Sequence, residues 1–385
     1  MKGHKPLGNG FRPYSPKRRV VVVVSNDLST DQRVNKVCLA LVEEGWEVCL
    51  LGRKLPNSSP LNRSYRCVRL PLWFKKGFLF YAEFNVRVFW WLLFKPFEVL
   101  HSNDLDTLWP CYVVSDWRRK PLVYDTHEYF VGVPELQNRP WVKAVWKGIE
   151  KRIFPKLKYV FTVNSGIAAL YQKDYGVLPQ VVRNISPKQL PDVLAKARAD
   201  FGLSEEAFLL INQGTGINVD RGMEELFEAL CLLPSRFQLV LVGKGDVWFK
   251  LQEMAQTECL RGRVHFFDAR PYAEMLSITR LCDLGVSLDK NTNLNYRFSL
   301  PNKIFDFIRM GLPVLASNLP EVKKIVEDFK VGKLCESHEP RELAKCIEEM
   351  ELLGKKPFDE ALKVAREKLY WEQEVLPMQS LYKNL

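Results

Sequence analysis

No stretch of this 385-residue chain reads as a membrane crossing, because the valine run Val20–Val24 is a fraction of the roughly 20 apolar residues a helix needs to span a bilayer. Met1–Tyr14 carries basic residues without the apolar run of a signal peptide, so no secretory signal is expected. Nine cysteines are scattered without CxxC or Cys/His metal spacing, and an odd number cannot all pair internally, which favours a reducing cytoplasm. There is no GxGxxG fingerprint with a ribose-binding acid behind it. Gly243-Lys244-Gly245 lacks the Ser or Thr that completes a phosphate-binding P-loop. Dinucleotide oxidoreductases and P-loop NTPases are thereby excluded. Internal repeats, low-complexity tracts and RNA-binding motifs are also missing.

What is present is apolar mass for two cores, with 47% hydrophobic and 12% aromatic residues. The net charge of +11 is uneven. Residues 1–187 hold 29 Lys and Arg against 15 Asp and Glu, a net +14, and residues 188–385 hold 27 against 30, a net −3. A basic half of this kind faces nucleic acid, anionic lipid headgroups or a phosphorylated acceptor, or is simply a solvated surface. Short apolar strands alternate with helices in two rounds. The first runs through Val20–Ser25, Glu47–Leu51, Glu98–Ser102, Leu122–Asp125 and Tyr159–Val163, with a helix over Asp31–Glu44 stopped by Gly45. The second runs through Phe208–Asn212, Gln238–Gly243, Val264–Phe267, Leu284–Leu288 and Val314–Ala316. This pattern predicts an α/β chain of two doubly wound parallel-sheet domains, residues 1–187 and 188–370, with the break near Arg183–Pro187.

Two segments of the second half read as anion-binding turns. In Ser299-Leu300-Pro301-Asn302-Lys303-Ile304-Phe305-Asp306, Ser299 and Asn302 suit a helix N-terminus, where unpaired N–H groups and the dipole attract phosphate, and Lys303 adds charge. Gly311 ends that helix and Pro313 prevents its continuation. In Ile211–Gly222 a strand leads through Gly214, Thr215 and Gly216 to Arg221 near a helix start, which suits a diphosphate. An ordinary tight turn with a surface arginine would look the same. The run SLPNKIFDFIRMGLPV resembles the donor-binding segment of the GT-B glycosyltransferases, specifically the retaining family 4, or group 1. The resemblance implies a GT-B fold of two Rossmann-like domains facing a cleft, whose tail 371–385 returns to the first. It also implies transfer from a nucleotide-diphospho-sugar with retention of configuration, without a metal or other cofactor. Arg221 and Lys303 would then neutralise the diphosphate, and Asp306 would hold the ribose hydroxyls. Thr215 stands where many members have a second basic residue, and Phe298 where they have the first of two glutamates.

In the first half, Val123-Tyr124-Asp125-Thr126-His127-Glu128 puts a polar cluster at a strand's carboxyl end, where open α/β sheets bind ligands. It resembles the family's D-x-H-E, which implies that His127 contacts the transferring sugar through a neutral ring that both donates and accepts. Asp31 and Arg33 resemble the family's first-loop acceptor border, and alternatively cap and pair on their own helix. Asp104 and Asp106 make a DxD that could hold a divalent cation, but acids are expected at a helix start anyway, and Asp104 and Glu128 remain cleft candidates on the acceptor side. The stretch Phe74–Pro96, with Lys75, Lys76, Arg87 and Lys95 among its rings, fits either an interfacial helix on an anionic membrane or a core helix. Taken together, the expectation is a cytoplasmic enzyme, peripheral at the inner membrane face, that glycosylates a glycan or lipid-linked acceptor in envelope polysaccharide synthesis and binds no nucleic acid. Its rivals are a nucleotide-sugar epimerase of the same fold and a silent nucleotide- or nucleic-acid-binding partner.

Overall fold

The computed structural model describes residues 18–385, except 30, 57, 59, 134, 135, 137, 138, 191, 192 and 194. The reading of Met1–Tyr14 lies outside the described residues, as does Thr30 of the first loop. A seven-stranded sheet has the order β3-β2-β1-β4-β5-β6-β7 and a six-stranded sheet the order β10-β9-β8-β11-β12-β13, both parallel throughout. In the first sheet β1 is Arg19–Asp27, β2 Glu47–Arg53, β3 Arg66–Leu70, β4 Val99–Asn103, β5 Leu122–Thr126, β6 Tyr159–Thr162 and β7 Gln180–Val181. In the second, β8 is Phe208–Gly214, β9 Phe237–Gly243, β10 Val264–Asp268, β11 Leu284–Ser287, β12 Val314–Ser317 and β13 Gly332–Cys335. Each sheet is an open, doubly wound sheet whose strand order reverses beside its first strand.

The continuous apolar runs become central strands because both sheet faces are covered, and Val20–Val24 is buried along its whole length. One face of the first sheet packs a core that includes Phe84, Tyr124 and Phe154. The other packs Val22, Val37 and Leu50 together with Trp371, Met378 and Tyr382 of the chain's end. Tyr382 hydrogen-bonds the buried His101 ring at 2.8 Å, so the last helices lie on the first half. The second sheet likewise has two cores, one around Phe227, Leu239 and Ile347, the other around Ile211, Phe307 and Val326.

Helix punctuation follows local chemistry. Asp31 caps the Gln32–Glu43 helix by accepting from the Val34 N–H at 3.0 Å, and Gly311 closes the Asn302–Met310 helix at φ 78°. The helix that the Asp104–Asp106 acids open spans Leu105–Arg118 and accommodates Pro110. Edge strands β3 and β13 carry no continuous apolar run, which is why the sequence pattern missed them. Cys231 and Cys259 are bonded and seven cysteines are free, so the set is incomplete, as an odd number requires.

The Phe74–Pro96 stretch is a helix over Gly77–Phe94 with two characters. Phe80, Phe84, Val88 and Leu92 are buried in the core, whereas Phe78, Trp90 and Phe94 are exposed. The two readings of this segment therefore belong to opposite faces of one helix. No helix of the described residues is long and apolar enough to cross a membrane.

Candidate functional site

The carboxyl ends of β1, β4 and β5 face those of β8 and β11 across a cleft. A cavity of about 680 Å³ there is lined by Asp31, Arg33, His127 and Glu128 from the first half. From the second half the same cavity is lined by Gly214, Thr215, Gly216, Arg221, Ser299, Asn302, Lys303 and Asp306. Asp104 opens onto an adjoining cavity that shares Glu128 and Arg221. Residues selected from separate motifs thus converge on one place.

On the first side, β5 ends in Asp125 and Thr126, and the turn that follows presents His127. Its backbone N–H donates to Asp104 at 2.8 Å, its Nδ1 lies 3.1 Å from the other Asp104 oxygen, and its Nε2 lies 3.5 Å from Asp125. Burial works against a charge on the ring, but the Asp104 and Asp125 carboxylates outweigh it and hold the imidazole well above its ordinary pKa. The two carboxylates therefore favour the protonated ring over the neutral one expected from sequence. Asp125 is in turn gripped by Arg33 through two bonds of 3.0 and 2.7 Å, with both side chains buried. Burial raises the Asp125 pKa, yet Arg33 and His127 together hold it far below the usual carboxylate range. Arg33 does not pair on its own helix, since it reaches across the sheet to a partner 92 residues away. It stiffens the histidine from behind.

Asp104 takes a positive φ of 59°, a costly backbone conformation for a non-glycine, and this turn aims its carboxylate at His127. The DxD pair diverges, with Asp104 on His127 and Asp106 buried on the Ser25 hydroxyl. Burial and the nearby Asp104 push the Asp106 carboxyl up to about 7. Among the described residues, no group of three or more His, Cys, Asp and Glu is placed to hold a metal ion. Glu128 accepts from the Asn295 amide at 3.0 Å across the cleft.

On the second side, Gly214 has a φ of 132°, and a side chain on Gly243 would collide with the Gly214 carbonyl, so glycines let the two loops pack backbone to backbone. Arg221 donates to Asp289 and lies 4.4 Å over the Tyr296 ring. The Lys303 ammonium donates to Asn212 at 3.1 Å; burial and the neighbouring Arg221 lower its pKa to about 8, against the opposing pull of Asp289. Ser299 donates to Asp289 at 3.2 Å instead of capping its helix, and Asn302 opens that helix. Asp289 is the residue that sequence reasoning missed. It is buried, follows the apolar strand β11 at the edge where ligands bind, and binds both Arg221 and Ser299.

Asp306 faces inward from its helix. One carboxylate oxygen accepts from Ser186 and Tyr272, each at 2.6 Å, and the other from Gln213 at 3.2 Å. Burial raises its pKa, and these donors partly offset the rise. The oxygens assigned to a ribose are therefore engaged by the protein, on a cluster that joins the crossover at Ser186 to the second half.

Comparison with known proteins places the two halves separately. Residues 32–187 match the model of Glycosyltransferase Family 4, and residues 195–365 match the model of Glycosyl transferases group 1. The chain is 21% identical to the chitobiosyldiphosphodolichol beta-mannosyltransferase of Candida glabrata over 81% of this chain and 79% of that protein. Among solved structures it resembles sucrose-phosphate synthase from Thermosynechococcus elongatus, with a TM-score of 0.79 and 19% identity over 96% of this chain and 99% of that one. It also resembles Anabaena HepE in complex with UDP and glucose, with a TM-score of 0.71 and 17% identity over 95% and 99% of the two chains.

Proposed function

Because the chain is a GT-B glycosyltransferase of the family 4/group 1 type, we propose that it takes a nucleotide-diphospho-sugar on its second half and passes the sugar to an acceptor on its first. The observation that carries this reading is the polarity of the cleft. Arg221 and Lys303 line one side, and Asp104 and Glu128 the other, with His127 between. A glycosyl–phosphate bond breaks with negative charge collecting on the departing diphosphate and positive charge on the sugar. Fixed charges aimed at each pole stabilise that separation more than they stabilise the intact donor. Support for a nucleotide donor also comes from HepE, which holds UDP and glucose. Retention of configuration is part of the proposal. The His127 imidazolium serves here to hold Asp104 toward the sugar.

The acceptor is proposed to be a lipid-linked glycan, and the site of action the inner face of the cytoplasmic membrane. Trp73, Phe78, Trp90, Phe94, Trp117 and Trp141 are exposed on the first half, as are Lys75 and Lys76, which suits rings at headgroup level and cations on anionic lipid. The name of the Candida glabrata relative, a transferase acting on a diphosphodolichol-linked sugar, supports the same class. Seven free cysteines suit a reducing compartment, and the bonded pair Cys231–Cys259 does not. A thermal-shift panel of nucleoside diphosphates tests the donor half, because a ligand held only by the folded state raises the melting temperature by mass action. One base should stand out, and a flat panel would leave the assignment without its ligand.

A further inference from the structure

A second cavity, of about 840 Å³, opens beside the cleft, lined mainly by the first half and also by Asn218, Arg221, Asn295 and Tyr296 of the second. Its long walls are the Gly77–Phe94 and Pro140–Ile153 helices, and its inner end carries Asp104 and shares Asn26, Glu128 and Arg221 with the reaction cleft. The walls are apolar and include Phe78, Tyr81, Val86, Trp109, Val145 and Trp146. Phe78 is 65% exposed, and Val86 and Val145 are each 50% exposed, so these side chains are only partly covered by the protein itself. Tyr81 meets Trp146 edge-on at 5.3 Å, which fixes the floor between the helices.

Four cations line the same cavity, Arg53, Lys75, Lys76 and Arg139. Among the described residues none of them forms an ion pair; Lys75, Lys76 and Arg139 are exposed, and Arg53 lies near enough to the Asp106 carboxyl to act on it through its charge. Arg53 is half-buried against the Phe80 ring, donates weakly to the Lys75 carbonyl at 3.5 Å, and keeps a buried Nε without a partner. A buried guanidinium nitrogen with no acceptor is costly unless something supplies one. Toward the cleft the lining changes to Ser25, Asn26, Asp104, Asp106 and Glu128, groups that bind hydroxyls.

Apolar walls, free cations and a hydroxyl-binding end form one continuous gradient. We propose that this cavity is the acceptor site, and that its occupant is a single-chain lipid phosphate or diphosphate carrying the acceptor sugar. The chain would lie between the two helices, the phosphates on Arg53 and Arg139, and the sugar at Asp104 and Glu128, with the exposed Lys75 and Lys76 left to the membrane headgroups. The inference rests on the glycosyltransferase reading and deepens its acceptor half. A neutral soluble glycan would leave the cations unanswered and the apolar walls wet. A phospholipid surface would satisfy the cations without using the inner end.

The test uses intrinsic tryptophan fluorescence, since Trp109 and Trp146 line the cavity. Farnesyl diphosphate is titrated into the full chain with the donor site saturated by the nucleoside diphosphate that the thermal-shift panel selects. Inorganic diphosphate and farnesol are run beside it. The amphiphile should bind about tenfold or more tightly than either fragment. Arg53→Ala and Arg139→Ala should each weaken it by about tenfold, the worth of one charge-assisted bond. Val145→Trp, which fills the space, should abolish the signal, and nucleoside diphosphate binding should stay within about twofold in all three variants, which also reports that they fold. Farnesyl diphosphate that fails to bind wild type, binds no better than inorganic diphosphate, or is displaced by nucleoside diphosphate would overturn the proposal. If nucleoside diphosphates fail to bind while farnesyl diphosphate does, the donor reading falls and the acceptor site stands.

Discussion

The two halves of the molecule share one strand topology and oppose each other in charge twice. The first half is net +14 in total, yet the edge it turns to the cleft sets the acids Asp31, Asp104 and Glu128 beside Arg33 and His127. The second half is net −3, yet its edge carries Arg221, Arg270 and Lys303 beside the single acid Asp306. Bulk charge and site charge therefore answer to different partners, one to whatever the outer surface meets and the other to the bond being broken. The pairs differ in depth as well. Arg33–Asp125 is buried at 3% and 0% side-chain exposure, whereas the Arg221 side chain of the Arg221–Asp289 pair is 23% exposed and can exchange its carboxylate for a ligand.

The difference in depth yields the largest expected effect. Arg33→Met leaves the buried Asp125 with His127 alone as counter-charge and without its two guanidinium bonds, and should cost about 3 kcal/mol of stability in urea unfolding. Arg221→Met should cost clearly less, because Ser299 and Lys303 remain near Asp289. Equal losses would mean that the two pairs play the same structural role. Next in size, His127→Ala should lower kcat by about a hundredfold while leaving the dissociation constant of the bare nucleoside diphosphate within about twofold, since its partners lie on the sugar side. Parallel losses in kinetics and calorimetry would remove the histidine from the chemistry.

Lys303 offers a test by pH. Its pKa is lowered to about 8, so the ammonium is present below that value and is lost as pH rises through it. Affinity for nucleoside diphosphate should then fall above pH 8 by about tenfold per unit, the slope of a single proton. Lys303→Arg should flatten the profile, because a guanidinium stays charged. A wild-type profile level to pH 10 would place the ammonium outside the binding step. The smallest effect concerns the outer surface. Lys75→Ala and Lys76→Ala should each weaken binding to anionic vesicles by about fivefold at low salt, the equivalent of about 1 kcal/mol per cation. Binding unchanged in co-sedimentation would leave the exposed rings without an anionic membrane partner.

How much of this was legible before the structure depends on how local each signal is. The strands β1, β8 and β9 and the Asn302–Met310 helix carry their information in adjacent residues, as buried runs and a closing glycine. The edge strands β3 and β13 have half-solvated faces and no such run. In the site, the glycine loop, Arg221 and Lys303 were legible because helix-end and glycine chemistry have a fixed spacing. The partnering was not. Nothing near Arg33 in sequence points to Asp125, nothing near Asp306 points to Ser186 or Tyr272, and the charge on His127 exists only because Asp104 and Asp125 converge on it. Asp289 carries one faint signal, an acid directly after a buried strand, which becomes meaningful only once β11 is known to lie beside β8.

The central claim is that the second half holds the donor's diphosphate through Arg221 and Lys303. It is tested most directly by calorimetric binding of the selected nucleoside diphosphate to wild type, Arg221→Ala and Lys303→Ala, each verified as folded by its circular dichroism and melting curve. The account predicts a loss of about 1–3 kcal/mol for each substitution, the worth of one charge-assisted hydrogen bond to phosphate. Wild-type affinity in both folded variants would contradict it.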